Sequence, residues 1–150
     1  MYKQILLAYD GSKSGQKALL ECRDVAQWAH AAITLVAVTP LYMDAMGIEG
    51  GIYDSTIAEQ RKERYQGILD EGVQSLIASG HQVVGEVVIG ETVDEIAKYA
   101  RTISADLIVV GHKHLDGWAA RWWHGSVSKS LIEYAPCSVL VVITDGNKAG

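Results

Sequence analysis

Five short apolar runs, separated by segments with helical periodicity, set the fold class of this chain. The runs span residues 4–9, 33–38, 82–89, 107–110 and 138–143, and most of their residues are Ile, Leu or Val. Short runs that stay apolar on both faces are typical of strands covered by helices on each side of a sheet. The third run alternates more and is expected at a sheet edge. Strands alternating with helices predict an α/β domain with a mostly parallel sheet.

Four segments between or after these runs have helical features. The first follows the turn Asp10-Gly11-Ser12 and is expected to be capped by Ser12 or Ser14. The second is expected over residues 56–78, and the third begins with a capping box at Thr92-Val-Asp-Glu95. The apolar positions expected to face the sheet are Ala18, Leu19, Cys22, Val25, Ala26 and Ala29 in the first helix, Ile57, Tyr65, Ile68, Leu69, Val73, Leu76 and Ile77 in the second, and Val93, Ile96, Ala97 and Ala100 in the third.

One domain is expected from the length of 150 residues, with an α/β unit over residues 1–144 and a frayed tail over 145–150. The net charge of −5 disfavours a nucleic-acid interface, which needs a basic face. No apolar run is long enough to cross a membrane and no signal-peptide pattern is present, so a cytoplasmic protein is expected. Cys22 and Cys137 fit neither a disulfide framework nor a zinc spacing and are interpreted as buried small hydrophobic residues.

The fourth apolar run leads into a stretch with the pattern of an anion site. A strand over Leu107 to Val110 is expected to stop at Gly111, and a helix is expected after Gly125-Ser126-Val127-Ser128, with Leu131, Ile132 and Tyr134 at helical spacing. The first N–H groups of a helix lack partners and carry partial positive charge, so this turn suits a phosphate. The alternative is that Gly125 relieves a tight turn and Ser126 only caps the helix.

Signatures of several other site classes are absent from the sequence. There is no GxxxxGK(S/T) loop of a P-loop NTPase and no GxGxxG motif after the first strand. There is no GxSxG nucleophile elbow, which disfavours an α/β-hydrolase. Asp10 stands without the acidic cluster of a response-regulator receiver. His112, His114 and His124 suggest a metal site, but no Cys or clustered carboxylate completes the ligand set.

Three segments together resemble the universal stress protein family over nearly the whole chain. They are Lys3-Gln-Ile-Leu-Leu-Ala-Tyr-Asp10-Gly-Ser12, Ala105-Asp-Leu-Ile-Val-Val-Gly-His112, and Gly125-Ser-Val-Ser128 followed by Ala135-Pro-Cys-Ser-Val-Leu-Val-Val142. The resemblance implies a single-domain, open, parallel five-stranded sheet in the order 3-2-1-4-5 with helices on both faces, of the adenine-nucleotide alpha-hydrolase-like type. It also implies ATP, ADP or AMP as the ligand and a homodimer as the assembly.

The resemblance places the nucleotide over the ends of the first and fourth strands. Asp10 would hydrogen-bond the ribose or adenine, and Ala8 would line the pocket. The backbone at Val38 would meet the adenine edge, while Val110 and Gly111 would pack close to the sugar. Gly111 is expected to allow a close backbone approach because it carries no Cβ.

The phosphates would be held by Gly125, Ser126, Val127 and Ser128 through backbone N–H groups and hydroxyls. Lys113 and His114 are interpreted as contacts to ribose or phosphate. A Mg²⁺ ion bound through the phosphates is compatible with this site. The family's GxxGx9G(S/T) loop has a second glycine where this chain has His114, and the stretch before Gly125 is longer by one residue. The choice among ATP, ADP and AMP therefore stays open.

Three functions are compatible with the sequence. The first is a stress-response adenine-nucleotide-binding protein that acts as a dimeric signalling or protective module. The second is a nucleotide-independent dimeric interaction module. The third is a slow ATPase, in which bound metal and ordered phosphates position a water and Asp10 is the only acid placed for catalysis.

Two further segments carry expectations of their own. The last strand would be an exposed apolar edge, so a dimer interface is expected at Ser138, Val139, Leu140, Val141, Val142 and Ile143, paired antiparallel across a two-fold axis as is common in the family. Residues 41–55 show no period and predict a long surface loop that could act as a flap. Trp118, Trp122 and Trp123 are interpreted as seating the phosphate loop on the domain, with base stacking as the alternative.

Overall fold

A computed structural model of the chain describes residues 1–40, 55–114 and 127–145. Within these ranges five strands alternate with four helices. Their bounds are β1 Gln4–Ala8, α1 Lys13–Ala29, β2 Ala32–Pro40, α2 Ser55–Ala78, β3 Val83–Gly90, α3 Thr92–Thr102, β4 Leu107–His114, α4 Val127–Tyr134 and β5 Ser138–Asp145. The strands form one sheet in the order β3-β2-β1-β4-β5, and every neighbouring pair is parallel. The predicted fold class and strand order are confirmed.

Helices cover both faces of the sheet. On one face α1 and α2 pack against the side chains of Ile5, Leu7 and Leu35. On the other face α3 and α4 pack against Leu6, Val36, Ile108 and Val110. The core residues of β1 are fully buried on both faces, because successive side chains of a strand point to opposite sides of the sheet. The interior positions predicted for the first and fourth strands are confirmed.

The strands are in register at the carboxyl edge of the sheet. Ala8, the last residue of β1, pairs with Val36 of β2 on one side and with Val110 of β4 on the other. The backbone N–H of Tyr9 then donates to the Val36 carbonyl over 2.9 Å. β1 ends at this row, whereas β2 continues to Pro40 and β4 to His114, so the residue after β1 emerges between two longer strands.

β4 is longer than its apolar pattern predicts. The predicted end at Gly111 is wrong, because the strand continues to His114 and pairs with β5 up to Asp145. Backbone hydrogen bonds between strands do not depend on side-chain polarity, so the ladder extends through the polar residues His112 and Lys113. Part of the segment interpreted as loop is therefore rigid sheet. β5 also extends one residue into the predicted tail, and residues 146–150 lie outside the described ranges.

The predicted capping box of the third helix is off by one residue. Glu91, not Thr92, is the N-cap of α3, and its carboxylate accepts from the backbone N–H of Asp94 over 2.8 Å. A Glu side chain is long enough to reach back to the first turn, and Thr92 then lies inside the helix. The four apolar residues predicted to face inward from this helix are all buried, which confirms the rest of that prediction.

Several apolar residues at helical spacing do not reach the core. Ile57 and Ile77 of α2 are exposed, contrary to their predicted positions, and Ile132 and Tyr134 of α4 are exposed as well. In α2 the fully buried side chains are Leu69 and Leu76, and Ile77 follows Leu76 on a neighbouring face of the helix. In α4 the buried residues are Ser128 and Leu131. The long segment predicted as a flap lies mostly outside the described residues, at 41–54.

The two cysteines behave as hydrophobic residues. Cys22 is fully buried and its burial raises the pKa of the thiol to about 12. Cys137 is half-buried, and desolvation followed by the charge of Asp106 raises the pKa of its thiol above the usual value. Both side chains are therefore protonated at neutral pH, which makes them poor nucleophiles. Among the helices that the structure describes, none has the length and apolarity that crossing a membrane requires.

Gly111 lies where β4 touches the first turn of α1. A Cβ at this position would lie 2.2 Å from the carbonyl oxygen of Ser14 and 2.7 Å from the backbone nitrogen of Gly15. These atoms are backbone and cannot move aside without shifting the helix. The glycine is therefore required for packing between a strand and a helix, a reason that the sequence alone does not give.

Replacing Gly111 with Ala is expected to lower the free energy of unfolding by about 1–3 kcal/mol, since the added methyl overpacks a backbone contact. Gly67→Ala is the matched control, because Gly67 lies within α2 and a Cβ there meets no atom within 4 Å. That change should raise the free energy of unfolding by about 0.5–1 kcal/mol through helix propensity. Urea denaturation of both variants measures the difference, and equal effects of the two changes would contradict the packing role of Gly111.

Candidate functional site

Three strands bring candidate site residues to one edge of the sheet. Asp10, Val38 and His112 each lie two residues beyond the in-register row formed by Ala8, Val36 and Val110. In open α/β sheets, ligands bind outside the carboxyl ends of the strands where the chain direction switches. In this strand order the switch lies between β1 and β4. The predicted residues on β1, β2 and β4 are therefore brought together at the expected place.

Asp10 is tied to the start of α1. Its Oδ1 accepts from the backbone N–H of Ser12 over 3.0 Å and from the Ser12 hydroxyl over 2.5 Å. Ser12 caps the helix, and its Oγ accepts from the N–H of Gly15 over 3.0 Å. One oxygen of the exposed Asp10 carboxylate is thus engaged locally, and the structure records no hydrogen bond to the other oxygen. Oδ1 of Asp10 therefore stabilises the start of α1, while its other carboxylate oxygen is available at the carboxyl edge of the sheet.

The start of α4 is tied to the end of β4. Ser128 Oγ and His112 Nδ1 are 3.0 Å apart, and Ser128 is 7% exposed. α4 has eight residues and begins at Val127, which is exposed. This bond fixes the first turn of the helix against the strand end, so two segments 16 residues apart in sequence meet at the candidate site. The sequence pattern had no signal for this pair.

The other residues predicted to contact the nucleoside differ in how far their side chains are exposed to solvent. Ala8 and Val38 are half-buried and pack on the α3 and α4 face. The Val110 side chain is almost fully buried, in the cluster that contains Leu131. Only the backbone of Val110 is thus available for a contact with a ligand. Because Gly111 has no Cβ, its backbone packs closely against α1. Its approach to the sugar stays a prediction.

Part of the predicted phosphate site lies outside the described residues. This applies to Gly125 and Ser126, to the side chain of His114, and to His124 and the three tryptophans of the same segment. Lys113 is exposed at the end of β4, and Val127 and Ser128 begin α4. No group of three or more potential metal ligands occurs within residues 1–40, 55–114 and 127–145.

The donor set at this edge fits a phosphorylated nucleoside. His112 supplies an imidazole beside the first turn of α4, and Lys113 supplies an exposed ammonium group at the end of β4; both groups suit an anion. Asp10 supplies a carboxylate oxygen, which accepts from hydroxyl groups such as those of ribose. Val38 on β2 is half-buried and apolar, and it lies on the side of β1 away from β4, so Asp10 is between the apolar and the cationic end. An anionic end, a hydroxyl-bearing middle and an apolar end are the three parts of a nucleotide.

Thr39 is a polar residue of this edge that the sequence analysis did not single out. It is 5% exposed, and its Oγ1 is a buried side-chain atom without a hydrogen-bond partner among the described residues. Thr34, five positions earlier on β2, is 2% exposed but accepts from Gln4 Nε2 over 2.9 Å. A hydroxyl inside an apolar strand was the available signal, although only the structure separates the paired threonine from the unpaired one.

Comparison with known proteins identifies relatives of the chain. The model of the Universal stress protein family matches residues 1–142. A universal stress protein of Staphylococcus aureus (strain USA300) is 33% identical over 147 residues, which cover 96% of this chain and 86% of the relative.

Solved structures share the fold over nearly the full chain. A protein from the universal stress protein family of Burkholderia pseudomallei has a TM-score of 0.75 at 27% identity, covering 94% of this chain and 96% of that one. A universal stress protein in complex with cAMP has a TM-score of 0.69 at 23% identity, covering 95% and 98%. The universal stress protein of Archaeoglobus fulgidus in complex with dAMP has a TM-score of 0.65 at 20% identity, covering 94% and 98%. At these last two identities the likeness concerns the fold alone.

Replacing Thr39 with Val is expected to raise the free energy of unfolding by about 1 kcal/mol, because a buried hydroxyl without a partner is removed at nearly constant volume. Thr34→Val is the matched control and should lower it by about 1 kcal/mol, because it leaves the Gln4 amide without its acceptor. Denaturant unfolding of the two variants gives both values. A loss of stability in Thr39→Val as large as that in Thr34→Val would show that Thr39 has a partner.

Proposed function

Because this chain belongs to the universal stress protein family, we propose that it is a stress-response protein that binds an adenine nucleotide at the carboxyl edge of its sheet. The observation that carries the proposal is the convergence of Asp10, Val38 and the Ser128–His112 pair on one edge, across the switch between β1 and β4. Two solved proteins with the same fold hold cAMP and dAMP. Both ligands contain adenine, a sugar and one phosphate.

The proposed nucleotide lies with its base towards β2 and its phosphates towards α4. The free oxygen of Asp10 would accept from the ribose, and the backbone at Val38 would meet the adenine. The phosphates would lie at Gly125, Ser126, Val127 and Ser128, where helix N–H groups and the dipole favour an anion. Lys113 and His114 would add donors at the phosphate end. ATP, ADP and AMP all fit this arrangement, with Mg²⁺ held through the phosphates when two or more are present.

The proposed role is binding rather than catalysis. Oδ1 of Asp10 is already engaged by Ser12, and this carboxylate is the only acid that the sequence places at the site. Slow hydrolysis would need an ordered water, and Asp10 keeps one unengaged oxygen with which to hold it. The proposed binding protein acts as a dimer, so the oligomer is part of the proposal.

The proposed assembly is a homodimer formed through β5. Among the strands that the structure describes, β5 pairs with β4 alone, so its other edge is open to backbone pairing. Ile143 is 54% exposed on this strand, and Val139 and Val141 are half-buried on the face that α4 covers. The exposed Ile132 and Tyr134 of α4 lie on an element that contacts β5. Pairing of two β5 edges across a two-fold axis would cover the backbone groups and add apolar contact.

Calorimetry on nucleotide-free protein is expected to give dissociation constants in about the micromolar range for at least one of ATP, ADP and AMP. GTP serves as the control for the base. Asp10→Asn keeps an oxygen for Ser12 but removes the charge, so it should weaken nucleotide and adenosine binding by a similar factor while α1 stays capped. Absence of binding below the millimolar range for all three nucleotides would reject the proposal and favour the nucleotide-independent interaction module.

The dimer is expected to be disrupted by a charge on the β5 edge. Ile143→Lys should convert a dimer into a monomer in sedimentation at tens of micromolar, since a buried unpaired charge opposes association. Ile89→Lys is the matched control, because Ile89 is also 54% exposed and lies on β3 at the opposite edge. A wild-type monomer at this concentration, or dissociation caused by Ile89→Lys alone, would contradict an interface at β5.

A further inference from the structure

His112 and Ser128 form a pair whose more exposed member is the imidazole. Ser128 is 7% exposed, whereas His112 is half-buried. Nδ1 of the ring lies 3.0 Å from Ser128 Oγ, so that side of the ring is occupied. Within the described ranges, Nε2 has no hydrogen-bond partner. One nitrogen of the ring is therefore anchored, and the other is available at the carboxyl edge of β4.

The Ser128 hydroxyl is compatible with a proton on Nε2 in both the neutral and the charged ring. In the neutral ring, the Ser128 hydroxyl can donate to Nδ1, and Nε2 then carries the proton. In the imidazolium, both nitrogens carry protons, and Ser128 Oγ accepts from Nδ1 instead. A hydroxyl can both donate and accept, so it complements both forms. The orientation of a histidine ring is commonly set in this way by the partner of its other nitrogen.

The pair is not arranged as a nucleophile with its base. A serine nucleophile must reach a substrate atom, and Ser128 is buried against the sheet in the first turn of α4. No carboxylate among the described residues is hydrogen-bonded to His112 to orient it as a general base. The serine therefore orients the histidine, and the histidine is the group that can meet a ligand.

We propose that His112 Nε2–H is a phosphate-binding donor of the nucleotide site, held in orientation by Ser128. This inference rests on the proposed nucleotide site, because it assigns a further contact within it. The donor lies at the end of β4, beside the start of α4 where the helix dipole attracts an anion. The ligand class is a phosphate monoester or diester on a nucleoside. His112 would thus donate to the phosphate from the strand, and the backbone N–H groups of α4 would donate from the helix.

The test compares two amides that mimic different nitrogens of the ring. The amide nitrogen of Gln reaches roughly the position of Nε2, whereas that of Asn reaches roughly the position of Nδ1. His112→Asn should lower the affinity for AMP by about 10- to 100-fold, the value of a hydrogen bond to a charged group. His112→Gln should retain most of the affinity. Ser128→Ala should cost about three- to tenfold, since the unanchored ring must lose its freedom on binding.

Adenosine and a distant histidine provide the controls. Binding of adenosine, which has no phosphate, should stay within about twofold of wild type in every variant. His81→Asn, at the amino end of the sheet between α2 and β3, should bind AMP as wild type does. Thermal unfolding verifies that each variant is folded, and the Gln and Asn variants remain comparable with each other even if both are destabilised.

Each outcome decides the inference. Retention of AMP affinity in His112→Asn, or equal loss of AMP and adenosine binding, would overturn the role of Nε2. Loss in His112→Gln together with retention in His112→Asn would show that His112 acts only by positioning Ser128. A wild-type protein that binds neither AMP nor adenosine would reject the proposed function itself, which is a different result from a variant that binds like wild type.

Discussion

Parallel pairing of β1 between β2 and β4 is the interaction on which the rest of this structure depends. β1 is short, and its central residues have no exposed surface on either face. Its two neighbours are therefore fixed in register by backbone hydrogen bonds and by burial on both sides, because a slip by one residue would exchange the two faces. The same register brings the end of β1 between β2 and β4, so Asp10, Val38 and His112 become neighbours although they are far apart in sequence.

The fold was predictable because the pattern of apolar residues identifies the strands and helices and shows which strands are buried on both faces. Runs such as Ile5 to Leu7 and Leu107 to Val110 can be buried on both faces only within a covered sheet. The extension of β4 to His114 was not predictable, since it depends on β5 offering a partner and not on the residues themselves. The N-cap of α3 was also not predictable from the sequence. Both Glu91 and Thr92 precede a helical pattern, and only the structure shows that the Glu91 carboxylate caps the helix. Ile57 and Ile77 are exposed whereas Leu69 and Leu76 of the same helix are buried, so helical spacing alone did not identify the buried face.

For the candidate site, the sequence located the edge but not the contacts within it. Asp10 was recognisable as a polar residue after a buried strand. Its bonds to Ser12, which divide its carboxylate between a helix cap and the open edge, depend on the local turn. The His112–Ser128 pair requires β4 to continue as a strand and α4 to begin where it does, so no local pattern could reveal it. Thr39 shows that burial and hydrogen bonding must both be known before a polar residue can be interpreted.

The contact of Gly111 with Ser14 has a mechanical consequence. β4 belongs to the half of the sheet that was added after the chain reversed direction, whereas α1 follows β1 in the first half. Since backbone meets backbone there with no side chain between, neither half can slide or hinge against the other without breaking that contact. The junction between the two halves is therefore rigid. The distance between the ends of β1 and β4 is fixed before any molecule lies across them.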